Sequence, residues 1–288
     1  MPNMALELPT SLSPSKVSSF TDCALSFRFS AIDKIPQPPT IATVKGTLVH
    51  SALERLLALE PADRTIDAAV ACLADASAEL DTDPEWAELA LNPDEQVTFF
   101  RDADVLVHKY FDIEDPTAIE PIGLELHVEH QLPVKGGSSV TLRGIIDRLE
   151  RDANGQLVVS DYKTGKAPAE GYQQSRLTGV HIYAYLCEQI YGERPSKVQL
   201  IYLGGTPTIV ETTPTEQSTR QIERKVTSIW SAIETACERD DFRPKKSKLC
   251  SWCSYQQWCP EFGGIPDDAR KAFEGVELPV RPNGFTQA

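Results

Sequence analysis

No stretch of this chain approaches the length of an apolar membrane-spanning helix, and its first residues, Met1-Pro2-Asn3-Met4, carry neither a basic n-region nor an apolar h-region. The expectation is a soluble, cytoplasmic protein with no membrane partner. Positive charge is also in short supply: Lys and Arg total 28 against 42 acids, a net charge of −14. That balance argues against a broad surface for coating polyanions, which needs many cations. It leaves room for a site built from clustered acids and for a local basic groove, and Arg243, Lys245, Lys246 and Lys248 form one basic cluster. Internal repeats and low-complexity tracts are absent. The seven cysteines are an odd number without a secretory signal, which fits reduced thiols or metal ligands better than a disulfide framework.

The 288 residues suit one large domain, or one domain with an appendage. Residues 1–14 are Pro/Ser-rich and read as loose. A helix begins near Ser15, capped by Ser15 or Ser18, with Cys23 on it or just after it. Residues 44–60 place Leu48, Val49, Ala52, Leu53, Leu56 and Leu57 at helical spacing. Residues 64–112 read as a helical insertion broken at Pro84 and Pro93, carrying Trp86, Phe99, Phe100 and Tyr110. The period then changes to two. Leu124, Leu126 and Val128, and again Val140 and Leu142, alternate with polar residues, and Gly136-Gly137 and Asn154-Gly155 are turn signals. This predicts three or four antiparallel strands ending at Asp161. A helix over 171–191 crosses over to a strand at Val198–Leu203. Another helix follows over 215–240, and 241–288 is loop-like.

The chemistry concentrates in Asp161-Tyr162-Lys163-Thr164, which follows the apolar run Leu157-Val158-Val159. Asp161 and Lys163 are two apart, so on a strand they share a face. Asp147, fourteen residues upstream in Gly144-Ile145-Ile146-Asp147-Arg148, adds a second carboxylate from a neighbouring strand. Two carboxylates and a lysine can hold a divalent cation and orient a water for phosphodiester hydrolysis. His50 could complete such a site through a neutral imidazole, although a lone histidine on a helix is more commonly structural. Cys250, Cys253 and Cys259 put three thiols within ten residues, interleaved with Trp252, Tyr255 and Trp258. A fourth ligand must come from afar, and Cys23 is the best candidate; the group would hold a four-iron cluster or zinc. Cys72, Cys187 and Cys237 fall at apolar helix positions and read as core.

Together these motifs resemble the RecB-type exonucleases of the PD-(D/E)xK nuclease superfamily, in the iron–sulfur branch that includes AddB-type recombination proteins and the Cas nucleases of CRISPR adaptation. The resemblance covers nearly the whole chain: the segment from Ser18 to Phe27 with Cys23, Gly46-x3-His50, Gly144-Ile145-Ile146-Asp147-Arg148, Asp161-Tyr162-Lys163-Thr164-Gly165, and Cys250, Cys253, Cys259-Pro260. Ala24 stands where the family has proline. The family's post-lysine helix carries Gln four residues before a Tyr; here those positions are Gly179 before Tyr183 and His181 before Tyr185, with Gln173 and Gln174 too early.

The resemblance implies an α/β fold, a central mixed sheet flanked by helices. It implies one nuclease domain over 1–288: a cluster-ligand helix (15–30), a helical insertion (64–112), a catalytic core (120–205) and a C-terminal iron–sulfur segment (243–262). His50, Asp147, Asp161 and the Tyr162 carbonyl would bind Mg²⁺ or Mn²⁺, with Asp147, Asp161 and Lys163 catalytic and Glu125 or Glu129 assisting. Cys23, Cys250, Cys253 and Cys259 would bind one [4Fe–4S] cluster, with Zn²⁺ as the alternative. The implied activity is a metal-dependent DNA exonuclease, favouring single strands, in repair or recombination, with any helicase or repair partner unspecified. Tyr183, Tyr185 and the aromatics of 86–110 could stack on bases. The competing readings are a non-catalytic nucleic-acid-binding subunit on the same fold and a zinc-stabilised structural protein.

Overall fold

A computed structural model describes residues 6–275, apart from the side chains of 172–176 and 178. The helices, in chain order, are α1 (Pro14–Asp22), α2 (Ala24–Phe27, continued by a π-turn), α3 (Ile41–Ala58), α4 (Ile66–Glu79), α5 (Pro84–Glu88), α6 (Pro93–Tyr110), α7 (Glu170–Tyr191), α8 (Glu216–Arg239) and α9 (Pro266–Ala272). Five strands, β1 (Pro121–Pro133), β2 (Ser139–Arg151), β3 (Leu157–Lys166), β4 (Lys197–Gly204) and β5 (Thr208–Thr212), form one sheet in the order β1-β2-β3-β4-β5. The chain divides into two compact units. One comprises Pro39–Val128 and Gly144–Thr219; the other comprises residues 6–38, Glu129–Arg143 and 220–275.

In the first unit the expected α/β architecture is present. Thr40 and Thr43 close a capping box at the start of α3. All six apolar positions predicted from its spacing are buried, and Val44 joins them. Pro84 and Pro93 break the helical stretch as expected, each occupying the first position of a new helix, where its missing N–H costs no hydrogen bond. β2 and β3 are antiparallel, β3 and β4 parallel, β4 and β5 antiparallel. A parallel pair requires a crossover, and α7 supplies it. Gly192 ends α7 in a left-handed conformation at φ 72°, which glycine adopts without strain. Tyr162, Ile201 and Leu203 share a core with α3, α4 and α6.

That core overturns one expectation. Trp86, Phe99 and Phe100 pack on one another with ring centroids 4.8–5.4 Å apart, and Phe99 and Tyr110 are buried. Tyr185 is buried as well. Burying Phe99, Tyr110 and Tyr185 is worth more than exposing them, so these three are not surfaces for stacking bases, while Trp86 and Phe100 are half-buried against the helical core.

On β2 and β3 a second polar group accompanies Asp147 and Asp161. The fully buried Arg148 donates to both oxygens of Glu114 at 2.8 Å, to the Tyr162 hydroxyl at 2.7 Å and to Ser160 at 3.0 Å, and it pairs with Glu150 at 2.9 Å.

In the second unit the N-terminal segment is not loose where it is described. Leu12 is fully buried and bridges Leu142 in parallel, its N–H donating to Thr141 at 2.9 Å and its carbonyl accepting from Arg143 at 2.9 Å. Residues 1–5, read as loose, and 276–288, read as loop-like, lie outside the described residues. Ser13, rather than Ser15 or Ser18, caps α1. α8 buries Ile222, Val226, Trp230, Ile233 and Cys237 at helical spacing. The segment after it is a run of short 3₁₀ turns at Lys248–Trp252, Gln256–Trp258 and Pro260–Phe262, followed by α9, which the sequence reading missed along with β5. Tyr255 anchors these turns: its hydroxyl donates to the Ile35 carbonyl and accepts from Gln37, both at 3.0 Å, and its ring meets Phe29.

Arg148→Met should destabilise the protein by about 3–5 kcal/mol in urea denaturation, because it leaves Glu114 and Glu150 without their buried counter-ion. A loss below about 1 kcal/mol would show that water already solvates those carboxylates.

Candidate metal centre

Each side chain of the acidic cluster is delivered by a separate element of the first unit. Alternation along β3 puts Asp161 and Lys163 on one face, and β2 brings Asp147 beside them. The Tyr162 backbone, between the two β3 residues, holds the arrangement together. Its N–H donates to Asp147 Oδ2 at 2.7 Å, and its carbonyl accepts from His50 Nε2 at 3.0 Å. With that nitrogen donating, His50 Nδ1 faces two carboxylates, Asp147 Oδ2 at 3.4 Å and Glu125 Oε1 at 3.9 Å. Lys163 Nζ pairs with Asp161 Oδ2. Gly144 permits the approach of α7: a Cβ there would lie 2.6 Å from Cε1 of Tyr183.

Among the described residues, the donor atoms of His50, Glu125 and Asp147 lie within 4.8 Å of one another, a group able to hold a metal ion. Asp161 stands outside that tight group, engaged by Lys163. Glu125, named from the sequence only as an assisting acid, is therefore the carboxylate in closest company with His50 and Asp147. It takes a left-handed φ of 42° within β1, a conformation costly for a residue with a side chain. No sequence signal marks that backbone; the nearby acids show only once the strands pair. Glu129, the other assisting candidate, falls in the other compact unit.

The electrostatics show what the cluster lacks. Burial, then Asp147, Glu54 and Asp161, push Glu125 up to about 8. Burial, then Asp161, raise Asp147 to about 6, against the opposing pull of His50 and Lys163. Burial raises the Tyr183 hydroxyl well above its ordinary value, and the carboxylates of Asp161, Asp147 and Glu125 add to it. Burial opposes the charge on Lys163, but Asp161 and Asp147 outweigh it and raise its pKa. An imidazole lone pair and several oxygen donors crowded around too little positive charge fit a hard divalent cation.

The four cysteines singled out from the sequence all line one cavity of about 240 Å³ in the second unit, with Ser19, Asp22, Trp252 and Phe262 also on its wall. Burial raises the Cys253 and Cys259 thiols, and the other cysteines of the set push in the same direction. The Ser247 N–H donates to Cys250 Sγ at 3.4 Å. A single tetrahedral ion needs sulfurs about 3.8 Å apart, from Zn–S bonds of about 2.3 Å. Among the described residues these cysteines do not form a metal-binding group that tight. Cys72, Cys187 and Cys237 are buried and absent from the cavity wall, as their apolar positions predicted.

Residues 11–260 match the sequence model of the PD-(D/E)XK nuclease superfamily. The chain is 25% identical to the Gene 69 protein of Mycobacterium phage D29 over 271 residues, covering 87% of this chain and 96% of that protein. It is 26% identical to the Gene 69 protein of Mycobacterium phage L5 over 125 residues, 43% of this chain and 41% of that one. A crystal structure of a presumed exonuclease from Eubacterium rectale shares the fold with a TM-score of 0.51 at 12% identity, covering 85% of this chain and 88% of its own.

Cation binding must displace the protons that the crowded carboxyls retain. Asp147 deprotonates near 6 and Glu125 near 8, so Mn²⁺ affinity should rise with pH across that interval. Calorimetry should find a gain of about tenfold or more, with proton release. Glu125→Gln should flatten the upper part of the profile. An affinity independent of pH would show that the cation does not contact these carboxylates.

Proposed function

The chain belongs to the PD-(D/E)XK nuclease superfamily, and on that footing we propose that it is a metal-dependent DNA exonuclease of the RecB type, acting on single-stranded DNA in repair or recombination. The observation that carries this reading is the convergence of His50, Asp147 and Glu125 beside the Asp161–Lys163 pair. His50, Asp147, Asp161 and the Tyr162 carbonyl would hold Mg²⁺ or Mn²⁺, with Glu125 as a further carboxylate. The cation supplies Lewis-acid polarisation of the phosphoryl group and a lowered pKa for water.

The chain's own groups do the rest. The Tyr162 N–H fixes the orientation of Asp147. Asp161 holds the Lys163 ammonium at the site. Lys163 positions the attacking water and offsets charge as it develops on the phosphoryl oxygens. The Tyr183 ring packs directly against Gly144.

The iron–sulfur assignment is also part of the proposal. Cys23, Cys250, Cys253 and Cys259 would hold one [4Fe–4S] cluster, whose thiolates stand farther apart than those around a single zinc ion. Its contribution would be structural, tying the end of α1 to the C-terminal turns and closing a loop of more than two hundred residues.

End-labelled single- and double-stranded DNA with Mn²⁺ tests the activity, and covalently closed single-stranded circles test the need for an end. Linear single strands should be degraded faster than duplex, and circles should survive; rapid cutting of circles would make the enzyme an endonuclease. Lys163→Ala should lower turnover by about 10² or more while Mn²⁺ binding measured by calorimetry persists. Near wild-type cleavage by that variant would refute the assigned mechanism. Protein purified without oxygen should be brown and contain iron. Colourless protein with stoichiometric zinc would replace the cluster by zinc. Cys23→Ala should lower the melting temperature.

A further inference from the structure

A nuclease selective for single strands needs an exposed ring for unpaired bases, and most of the aromatics that the sequence offered for that task are packed away. Trp252 is not. It is 86% exposed, the most exposed large hydrophobic residue among those described, in a protein whose other three tryptophans are buried or half-buried. Leaving an indole in water forfeits the free energy of burying it, and together with Leu249 and Phe262 beside it the indole forms an exposed apolar patch of the kind that marks contact surfaces.

The backbone that carries the indole is held in a defined turn. Trp252 lies between Cys250 and Cys253 in a 3₁₀ turn capped by the Ser247 hydroxyl, and the Cys253 N–H closes the turn on the Cys250 carbonyl at 3.1 Å. Leu249 and Phe262, both about half exposed, line the same cavity as Trp252, with Lys245 and Lys246. Lys246 Nζ sits 5.6 Å over the Phe262 ring, and Lys245 Nζ is fixed to the Thr21 carbonyl at 3.0 Å.

The charge of the segment points to the ligand. Residues 242–253 contain four cations and no carboxylate, in a chain of net charge −14. Two acids do reach the cavity, Asp22 and Glu261, the latter 4.0 Å from Lys246; Lys248 is exposed and has no carboxylate within salt-bridge distance among the described residues. A flat exposed indole flanked by lysines fits a ligand with π-faces and phosphates. A duplex keeps its base faces stacked inside, so an unpaired base is the one that can lie on Trp252.

Resting on the nuclease reading above, we propose that the Lys245–Trp252 segment is a docking platform for single-stranded nucleic acid, with a base stacked on Trp252 and flanking phosphates taken by Lys246 and Lys248. The platform belongs to the cysteine-bearing unit and is separate in sequence from every residue of the candidate metal centre.

The test is fluorescence anisotropy with labelled fifteen-residue oligothymidylate and a hairpin duplex, on full-length protein purified without oxygen, in buffer lacking divalent cations so that the strand stays intact. Trp252→Ala should weaken single-strand binding by about tenfold, leave the weaker duplex binding unchanged, and leave iron content and Mn²⁺ affinity at wild-type values. Trp252→Phe should recover most of the affinity. The double variant Lys246→Ala/Lys248→Ala should reduce the slope of log affinity against log salt by about 1.4, since each single-strand phosphate contact contributes about 0.7. Wild-type affinity in Trp252→Ala would overturn the platform and leave the nuclease reading standing. Equal losses on single strands and duplex would also overturn it, and a loss of self-association in sedimentation without a change in oligonucleotide affinity would make the face a protein interface instead. If the wild-type protein neither binds nor cuts any oligonucleotide, the nuclease reading falls and the platform with it.

Discussion

The peptide of Tyr162 carries three obligations at once. Its N–H orients Asp147, its carbonyl receives His50, and the strand it belongs to sets Asp161 and Lys163 on a common face. Its side chain carries a fourth, because its hydroxyl accepts from Arg148 at 2.7 Å. β3 pairs with β4 at Tyr162, while its pairing with β2 ends at Ser160, so on that edge the Asp147 and His50 side chains hold this peptide in place of a strand. The acidic cluster can be crowded because the backbone beneath it is fixed. Burial, with the neighbouring carboxylates adding to it, raises the proton affinity of Glu125 and Asp147. A site strained in this way by like charges favours a divalent cation strongly, since one ion relieves several repulsions together.

The second unit solves a different problem. Its C-terminal segment from Lys248 to Phe262 contains short 3₁₀ turns and no long helix, so little backbone hydrogen bonding holds it. Order there comes from side chains: Tyr255 hydrogen-bonded between Ile35 and Gln37, Phe29 against Tyr255 and Trp258, and Arg28 paired with Asp33, Asp240 and Asp267 at 3.0–3.2 Å. Apart from Arg28 and Asp33, these partners are more than two hundred residues apart in sequence. Four thiols facing one cavity would add a covalent clamp to the same junction.

Much of this was legible from residues alone, for reasons that differ by element. α3 was readable because six apolar positions from Leu48 to Leu57 repeat at helical spacing, and the start of α6 because Pro93 breaks the helical stretch there. The β3–α7–β4 crossover followed from a long helix between two apolar runs. His50, Asp147, Asp161 and Lys163 were readable as residue types at fixed spacings. Glu125 was only half readable: its left-handed backbone and its nearness to His50 arise from strand pairing, and no local pattern encodes them. The aromatics of 86–110 were misleading because a ring that stacks on a base and a ring that packs on a neighbouring ring are the same residue in a sequence. β5, five residues long, and α9, seven residues beginning at Pro266, were too short to show a period. The side chains of Gln173 and Gln174, weighed against the family's glutamine motif, lie outside the described residues.

A net charge of −14 is an unpromising start for a protein that meets a polyanion, and the location of the charges resolves the difficulty. Acids are useful where a cation is to be held, and the candidate metal centre concentrates them. Elsewhere an acidic surface suppresses indiscriminate binding to duplex phosphates, because each unneutralised contact is lost quickly as salt rises. Contact is then left to places where cations accompany something other than charge. Residues 243–252 bring lysines together with an exposed indole, a combination that rewards a strand for offering a base face as well as a phosphate. The proposed selectivity for unpaired strands would follow from general repulsion and a small number of such mixed contacts.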